Sequence, residues 1–203
     1  MTTIGSQKIT LLKKLDKLDK LDLSYNKLTG PIPKWLAGIT LTGAQYGELD
    51  LDHNQFSGPI PGELCNIKLG LHVIQLTGNK LSGPIPASIG NCAQLQALYV
   101  GENALSGPLP HTFGKLNNLQ SLYANHNQIT GPLPVELGDL PNFREINVDH
   151  NKLTGSIPSN YGPYTTDFPL AGLFTNNMLT GALLFWNLST SQSYGGKIIM
   201  YKR

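Results

Sequence analysis

Several features that define common protein classes are scarce in this chain. It has two cysteines in 203 residues, so a disulfide-dense small scaffold is excluded. No apolar run approaches the roughly 18–20 residues of a membrane-spanning helix, and the N-terminal stretch MTTIGSQKITLLKKL lacks the apolar region of a secretory signal. We therefore expect no membrane insertion and an intracellular protein as written, or a secreted or cell-surface one if an N-terminal signal is missing.

Charged residues are also sparse, at 14% of the chain, with 15 basic and 13 acidic side chains. The basic excess lies at the two ends of the chain, while the middle is acidic overall. No basic face interleaved with aromatic residues is present, so a nucleic acid is not expected as a partner. The 22 glycines and 14 prolines argue against long helices, since both residue types interrupt them.

One segment recurs through most of the chain. Six copies align on a shared asparagine: LDLSYNKLTGPIP, LDLDHNQFSGPIP, IQLTGNKLSGPIP, LYVGENALSGPLP, LYANHNQITGPLP and INVDHNKLTGSIP, with a degraded seventh, GLFTNNMLTGALL. The aligned asparagines are Asn26, Asn54, Asn79, Asn103, Asn127, Asn151 and Asn177. The unit is 24 residues long, with small insertions in the second and last copies. Such a period indicates an array of stacked repeats.

Each copy has the pattern expected of one coil of such an array. Apolar residues five and three positions before the asparagine alternate at period two, which predicts a short strand with one buried face. The asparagine follows at a turn, where its side chain can hydrogen-bond to its own and the neighbouring backbone. The glycine of the TG or SG pair is expected to adopt a conformation that other residues cannot. The proline then favours an extended or 3₁₀ conformation.

The pattern LxxLxLxxNxL[ST]Gx[IL]P resembles the leucine-rich repeat, in the subtype of plant receptor-like kinases and polygalacturonase-inhibiting proteins. The resemblance covers residues 15–184 and implies an α/β-type leucine-rich repeat solenoid. This is a curved right-handed coil with a parallel β-sheet on the concave face and 3₁₀ or extended segments on the convex face. We expect six full repeats over 15–162, and a degraded seventh plus a C-terminal cap over 163–203, sealed by Phe185 and Trp186. Residues 1–14 are expected to form an N-terminal cap or overhang.

The concave face is where this architecture usually binds, so the resemblance implies a non-catalytic binding module without a cofactor. Outward positions lie four, two and one residues before each asparagine. The residues expected to contact a ligand are Asp22, Tyr25, Asp50, Asp52, His53, Gln75, Tyr99, Glu102, Tyr123, His126, Asn147, Asp149 and His150. Tyr99 and Tyr123 should be adjacent, because neighbouring strands lie about 4.8 Å apart. Rigid tyrosines on a polar, acidic face suit a protein or peptide, or a polysaccharide.

Other functions stay open at the level of the sequence. The array could be a structural scaffold subunit of a larger assembly, with contacts made by the basic termini or by the insertion Ile39–Gly47. Inhibition of a secreted hydrolase and ice binding are less favoured alternatives. Ice binding is raised by a regular row of hydroxyl residues, which we expect instead to hydrogen-bond between coils. The row is Thr29, Ser57, Ser82, Ser106, Thr130, Thr154 and Thr180.

Two further clusters could support other chemistry. His126 and His150 share a register in adjacent repeats with Asp149 close by, which would suit a metal ion. Exposed histidines at the edge of the turn are the favoured interpretation, and no metal is predicted. No nucleophile motif accompanies the pair, so no enzymatic activity is expected. Cys65 and Cys92 lie out of register in adjacent repeats and are expected to be free thiols in the core.

Overall fold

The computed structural model describes residues 19–38, 47–66, 70–161 and 171–181. Within these ranges the chain forms seven stacked coils, with one strand before and one strand after each aligned asparagine. The predicted cap at 1–14, the insertion residues 39–46 and the predicted seal by Phe185 and Trp186 lie outside the described residues. The boundaries given for the two cap regions stay predictions.

The strands that precede the asparagines form one parallel sheet, the concave sheet. They are β1 (Lys20–Asp22), β3 (Gly47–Asp50), β5 (Leu71–Gln75), β7 (Ala97–Tyr99), β9 (Ser121–Tyr123), β11 (Glu145–Asn147) and β13 (Ala171–Leu173). They pair in that order, so each strand bonds only to its counterparts in the adjacent coils. Equivalent positions face each other, as Tyr99 faces Tyr123 and Tyr123 faces Asn147. This is the register predicted from the aligned asparagines.

The strands that follow the asparagines form a second parallel sheet, the flanking sheet. They are β2 (Thr29–Gly30), β4 (Gln55–Gly58), β6 (Lys80–Gly83), β8 (Ala104–Pro108), β10 (Gln128–Gly131), β12 (Lys152–Gly155) and β14 (Met178–Leu179). The glycine of each TG or SG pair has a φ between 75° and 101°. This is the left-handed region that glycine enters without steric cost, as the motif predicted.

Short 3₁₀ helices lie on the convex side. They span Lys34–Gly38, Gly62–Asn66, Ala87–Asn91, His111–Lys115, Val135–Leu137 and Ser159–Tyr161. Each begins directly after the last proline of its motif, whose ring fixes φ and whose missing N–H is not needed at a helix start. The part of the chain that the structure describes contains no α-helix, and none of its helices is long and apolar enough to cross a membrane.

The core lies between the two sheets and the 3₁₀ helices. The inward pairs of the concave sheet are Leu21/Leu23, Leu49/Leu51, Ile74/Leu76, Leu98/Val100, Leu122/Ala124 and Ile146/Val148, and all but Leu23 are buried. In the seventh coil Gly172 stands where the first leucine belongs. The ring of Phe174 occupies the space that a Cβ on Gly172 would need, and Phe174 is buried. A larger side chain in the same coil thus replaces the missing leucine.

The aligned asparagines join each coil to the one before it. Asn127 shows the arrangement: its amide donates to the carbonyl of Val100 in the preceding coil (3.0 Å) and to those of Ala124 and Asn125 in its own turn. Its Oδ1 accepts the N–H of Leu105, again in the preceding coil (2.9 Å). Every aligned asparagine from the second coil to the seventh makes the equivalent set.

Cys65 and Cys92 form a disulfide bond, so the prediction of free thiols is wrong. The two residues lie at the ends of neighbouring 3₁₀ helices, and their Cα atoms are 4.7 Å apart. The register of the concave sheet does not extend to the convex side, where the coils pack with an offset of their own. The hydroxyl of Ser88, for example, donates to the carbonyl of Gly62 (2.7 Å). Positions that are unequal relative to the asparagine therefore become neighbours.

Replacing an asparagine inside the stack should be costly. In Asn127→Ala the N–H of Leu105 loses its partner, which costs about 1–3 kcal/mol, and the carbonyls of Val100 and Ala124 each lose one of two amide donors, so we expect unfolding free energy to fall by about 2–4 kcal/mol. Urea denaturation followed by circular dichroism measures this. Asn118→Ala is the control, because Asn118 makes one hydrogen bond on the convex surface and should cost less than about 1 kcal/mol. Equal losses would contradict the role given to the asparagine row.

Candidate functional site: the concave face

The outward side chains of the concave sheet form two rows that run across the coils. The row four residues before the asparagines ends the strands, and it contains Asp22, Asp50, Gln75, Tyr99, Tyr123 and Asn147. A row two positions earlier starts the strands and points the same way, because side chains alternate at period two. It includes Lys20, Glu48, Ser121 and Glu145. The predicted contact set does not include this second row, although the sequence predicts Lys20, Glu48 and Glu145 at the entry of their strands on the same face.

The first three coils form an acidic cluster around one lysine. Nζ of Lys20 lies 3.2 Å from Oδ2 of Asp22, 3.1 Å from Oε1 of Glu48 and 3.7 Å from Oδ2 of Asp50. The amide of Gln75 donates to Glu48 and Asp50, at 3.1 Å each. One ammonium group therefore faces three carboxyl groups.

Asp50 differs from the expected exposed contact residue. It belongs to the outward row, but its neighbours in the adjacent coils cover it, and it is 5% exposed. Burial raises the pKa of its carboxyl above the ordinary value. Asp22 is exposed, and hydrogen bonds from the hydroxyl and backbone N–H of Ser24 lower its pKa to about 2. Asp22 and the half-buried Glu48 thus present the negative charge of this cluster to a partner.

The fourth to sixth coils form an aromatic cluster. The rings of Tyr99 and Tyr123 meet edge to face with centroids 5.1 Å apart, which confirms the predicted adjacency. The hydroxyl of Tyr123 donates to Oε2 of Glu145 (3.0 Å), and the hydroxyl of Ser121 donates to the same oxygen (3.3 Å). Burial and then this bond to Glu145 raise the pKa of Tyr123 to about 12, and burial raises that of Tyr99. Both phenols are therefore neutral hydrogen-bonding groups at pH 7.

The residues directly before the asparagines lie in the turn rather than on the sheet. Their φ values are between 46° and 53° for Tyr25, His53, Glu102, His126 and His150, and all five are exposed. Rings in adjacent coils stack: Tyr25 on His53 with centroids 4.3 Å apart, and His126 on His150 at 4.1 Å. They edge the concave face. Asp52 and Asp149 lie one position earlier and contact the imidazoles of His53 and His150.

The buried carboxyl of Asp50 has a measurable consequence for stability. Because its folded-state pKa is raised, the stabilisation it supplies is present at low pH and is lost as the pH rises through that pKa. We expect Asp50→Asn to be more stable than the wild type at pH 7, by a margin that shrinks as the pH falls towards 4. Asp22→Asn is the control of opposite sign, since the lowered pKa of Asp22 stabilises the fold at pH 7. Thermal unfolding of both variants between pH 4 and pH 7 measures these differences in stability. An Asp50→Asn variant that is less stable than the wild type at pH 7 would contradict the prediction.

The sequence matches two protein-family models. Residues 69–129 match a model described as Leucine rich repeat, and residues 17–39, 48–67 and 142–163 match a second model of the same description. No curated protein sequence matches the chain.

The chain is similar to many solved structures, among them the following three from plants. One is a plant ice-binding protein, with 28% identity over 82% of this chain and 52% of that one, at a TM-score of 0.72. The leucine-rich repeat ectodomain of the receptor kinase GASSHO1/SCHENGEN3 from Arabidopsis thaliana, in complex with CASPARIAN STRIP INTEGRITY FACTOR 2, shows 35% identity over 88% of this chain and 23% of that one, at 0.67. The BIR2 ectodomain from Arabidopsis thaliana shows 30% identity over 81% of this chain and 70% of that one, at 0.51.

The chain spans about half the length of the ice-binding protein and about a quarter of the GASSHO1/SCHENGEN3 chain. The family matches and the similarity to solved structures agree with each other. The chain belongs to the leucine-rich repeat family, and its fold is similar to the ectodomains of plant receptor kinases.

Proposed function

We propose that the chain is a non-catalytic binding module that holds an extended peptide, or an extended segment of a protein, on its concave face. The observation that carries this is the division of that face into an acidic end and an aromatic end on one rigid sheet. Similar solved structures include the plant peptide hormone receptor RGFR1 in complex with RGF2 and the receptor kinase HAESA in complex with the peptide hormone IDA and the co-receptor SERK1. Leucine-rich repeat domains are typically non-catalytic, which agrees with this role.

The two ends are spaced for a short peptide. Asp22 and Tyr123 occupy the same register in strands β1 and β9, which are four steps apart in the concave sheet. At about 4.8 Å per step the separation is about 19 Å, which about six extended residues span at about 3.3 Å each. A ligand crossing the coils would meet carboxylates at one end and tyrosine rings at the other.

The chemistry of each end sets the expected ligand. The excess of carboxyl groups over Lys20 favours lysine or arginine side chains or a free amino terminus. The neutral tyrosine edges favour an apolar or aromatic residue with a nearby hydrogen-bond donor, since Glu145 accepts bonds at that end. The hydrogen bonds among these side chains hold them in place before a ligand arrives, which lowers the ordering cost of binding.

Selection from a displayed library of random 15-residue peptides tests the proposal without a known partner. We expect the wild-type chain to enrich peptides with a basic residue about five or six positions from an aromatic one, and their binding to weaken as salt is raised. Affinity for synthetic copies should fall at least tenfold in Asp22→Asn/Glu48→Gln and in Tyr99→Ala/Tyr123→Ala. Surface plasmon resonance measures both effects.

The matched control for the charge change is Glu63→Gln, which removes one carboxylate on the convex side, where Glu63 pairs with Lys34. It should leave peptide affinity unchanged. Peptides that bind every concave variant as tightly as the wild type would refute recognition by this face and would favour the alternative, a scaffold subunit that contacts its partners elsewhere.

A second candidate function, ice binding, is favoured by the flanking sheet. The hydroxyl row was predicted to hydrogen-bond between coils, and this is wrong for the part of the chain that the structure describes: none of these hydroxyls bonds to another described residue, and five of the seven residues are exposed. The hydroxyls do not bond between coils because these residues alternate with the buried core residues of the sheet and their side chains point outward. Regular hydroxyls on a parallel ribbon face solvent, and one similar structure is a plant ice-binding protein.

Ice recrystallisation assays decide this candidate. Three lysines, Lys27, Lys80 and Lys152, lie in the neighbouring outward row and interrupt the ribbon, so we expect at most weak activity. If the ribbon binds ice, Ser106→Lys/Thr130→Lys should abolish inhibition of recrystallisation, while Tyr99→Ala/Tyr123→Ala should retain it. Ice crystals that coarsen in the wild-type chain as fast as in buffer would exclude the function.

A further inference from the structure

Three side chains of metal-binding type meet at the edge of the concave face, in the turns of the fifth and sixth coils. They are His126, Asp149 and His150, and one donor atom from each lies within 4.8 Å of the other two. The fold brings them together because aligned positions in adjacent coils are neighbours. The sequence had favoured exposed histidines here, and both imidazoles are indeed exposed, so the donors are open to an ion from solvent.

The carboxylate of Asp149 is held in an incompletely satisfied state. Its side chain is 17% exposed, and its Oδ2 lies 3.4 Å from Nδ1 of His150. Its Oδ1 is buried and has no hydrogen-bond partner. A buried carboxylate oxygen without a partner loses its hydration without compensation, and a cation bound at Oδ2, the oxygen that faces His150, would offset that cost.

We infer that His126, Asp149 and His150 form a binding site for a divalent transition-metal ion, of which zinc is the best fit. Two imidazoles and a carboxylate are a donor set that zinc accepts, with a water or an outside group as the fourth ligand. The set lacks the many oxygens that calcium needs. The site adjoins the face proposed for peptide binding but does not depend on that function.

Binding requires a local rearrangement that limits its strength. The two imidazoles are stacked nearly parallel, at 12°, whereas a metal must lie in the plane of each ring that binds it. One ring therefore has to rotate, and the donors have to approach by at most about 1.4 Å to reach tetrahedral spacing. His150 must also yield its 2.8 Å contact with the amide of Asn176 if Nε2 is the donor. The site should accordingly bind zinc less tightly than closed structural sites do.

The chain contains a matched site that lacks one ligand. Asp52 and His53 repeat the pairing of Asp149 and His150, with Nδ1 and Oδ2 3.1 Å apart and a buried Oδ1 without a partner. The stacked ring in the adjacent coil there is Tyr25 instead of a histidine. The Asp52/His53 site therefore lacks the second imidazole that His126 supplies in the fifth coil, and it serves as an internal control for zinc binding.

Isothermal titration of zinc into the untagged, metal-free, disulfide-bonded full chain tests the inference. We expect one saturable zinc per wild-type chain and an affinity at least tenfold weaker in His126→Asn and in Asp149→Asn. Asparagine suits the positive φ of position 126, and circular dichroism confirms that each variant is folded. His53→Asn should bind zinc as the wild type does. Tyr25→His should create a second site, so its stoichiometry should rise to two.

Imidazole nitrogen shifts in NMR spectra supply a second readout, since zinc should move the signals of His126 and His150 and leave those of His53 in place. Three outcomes would overturn the inference: no saturable binding by the wild type, undiminished binding by both His126→Asn and Asp149→Asn, or a loss in His53→Asn as large as in His126→Asn.

Discussion

The structure depends on one repeated interaction, the hydrogen bonding of turn backbone groups by a buried or half-buried asparagine. After each concave strand the chain turns sharply. The carbonyls and N–H groups of the turn lie between the two sheets and need hydrogen-bond partners there. The asparagine amide donates to carbonyls of its own turn and of the coil before, and its oxygen accepts an N–H from that same coil. Only a side chain with both a donor and an acceptor can do this, which explains why the residue type recurs while the positions around it vary.

That interaction also sets the geometry of the binding face. Because each asparagine is locked to the preceding coil, outward residues at equal distances from it are held one strand spacing apart. Lys20, Asp22 and Glu48 become one charged cluster and Tyr99, Tyr123 and Glu145 one aromatic cluster, although members in adjacent coils are 22 to 28 residues apart in sequence. The stacked pairs Tyr25/His53 and His126/His150 have the same origin. Residues at the same position of successive repeats thus become neighbours in space.

Predictions succeeded where this register governs and failed where it does not. The adjacency of Tyr99 and Tyr123 followed from counting, as did the buried pairs of the concave sheet. The disulfide between Cys65 and Cys92 could not be counted, because the convex 3₁₀ helices pack with their own offset. The burial of Asp50 could not be predicted either, since it depends on the side chains of Lys20 and Gln75, which contact its carboxyl group from the adjacent coils. The hydroxyl row was placed correctly but assigned the wrong partners, because its side chains alternate with the buried residues of the flanking sheet and point outward.

By itself the sequence determined the repeat length, the parallel sheet, the inward residues and the rows that face outward, because a 24-residue period and a period-two strand leave no other register. Tertiary structure alone decided which outward groups are free to act. It covered Asp50, left Asp22 and the tyrosine edges accessible, and joined the two cysteines. It also placed the carboxylate of Asp149, whose Oδ1 has no partner, beside the imidazoles of His126 and His150. The physical reason is that exposure, pKa and pairing depend on side chains of adjacent coils, which a repeat pattern aligns but does not orient.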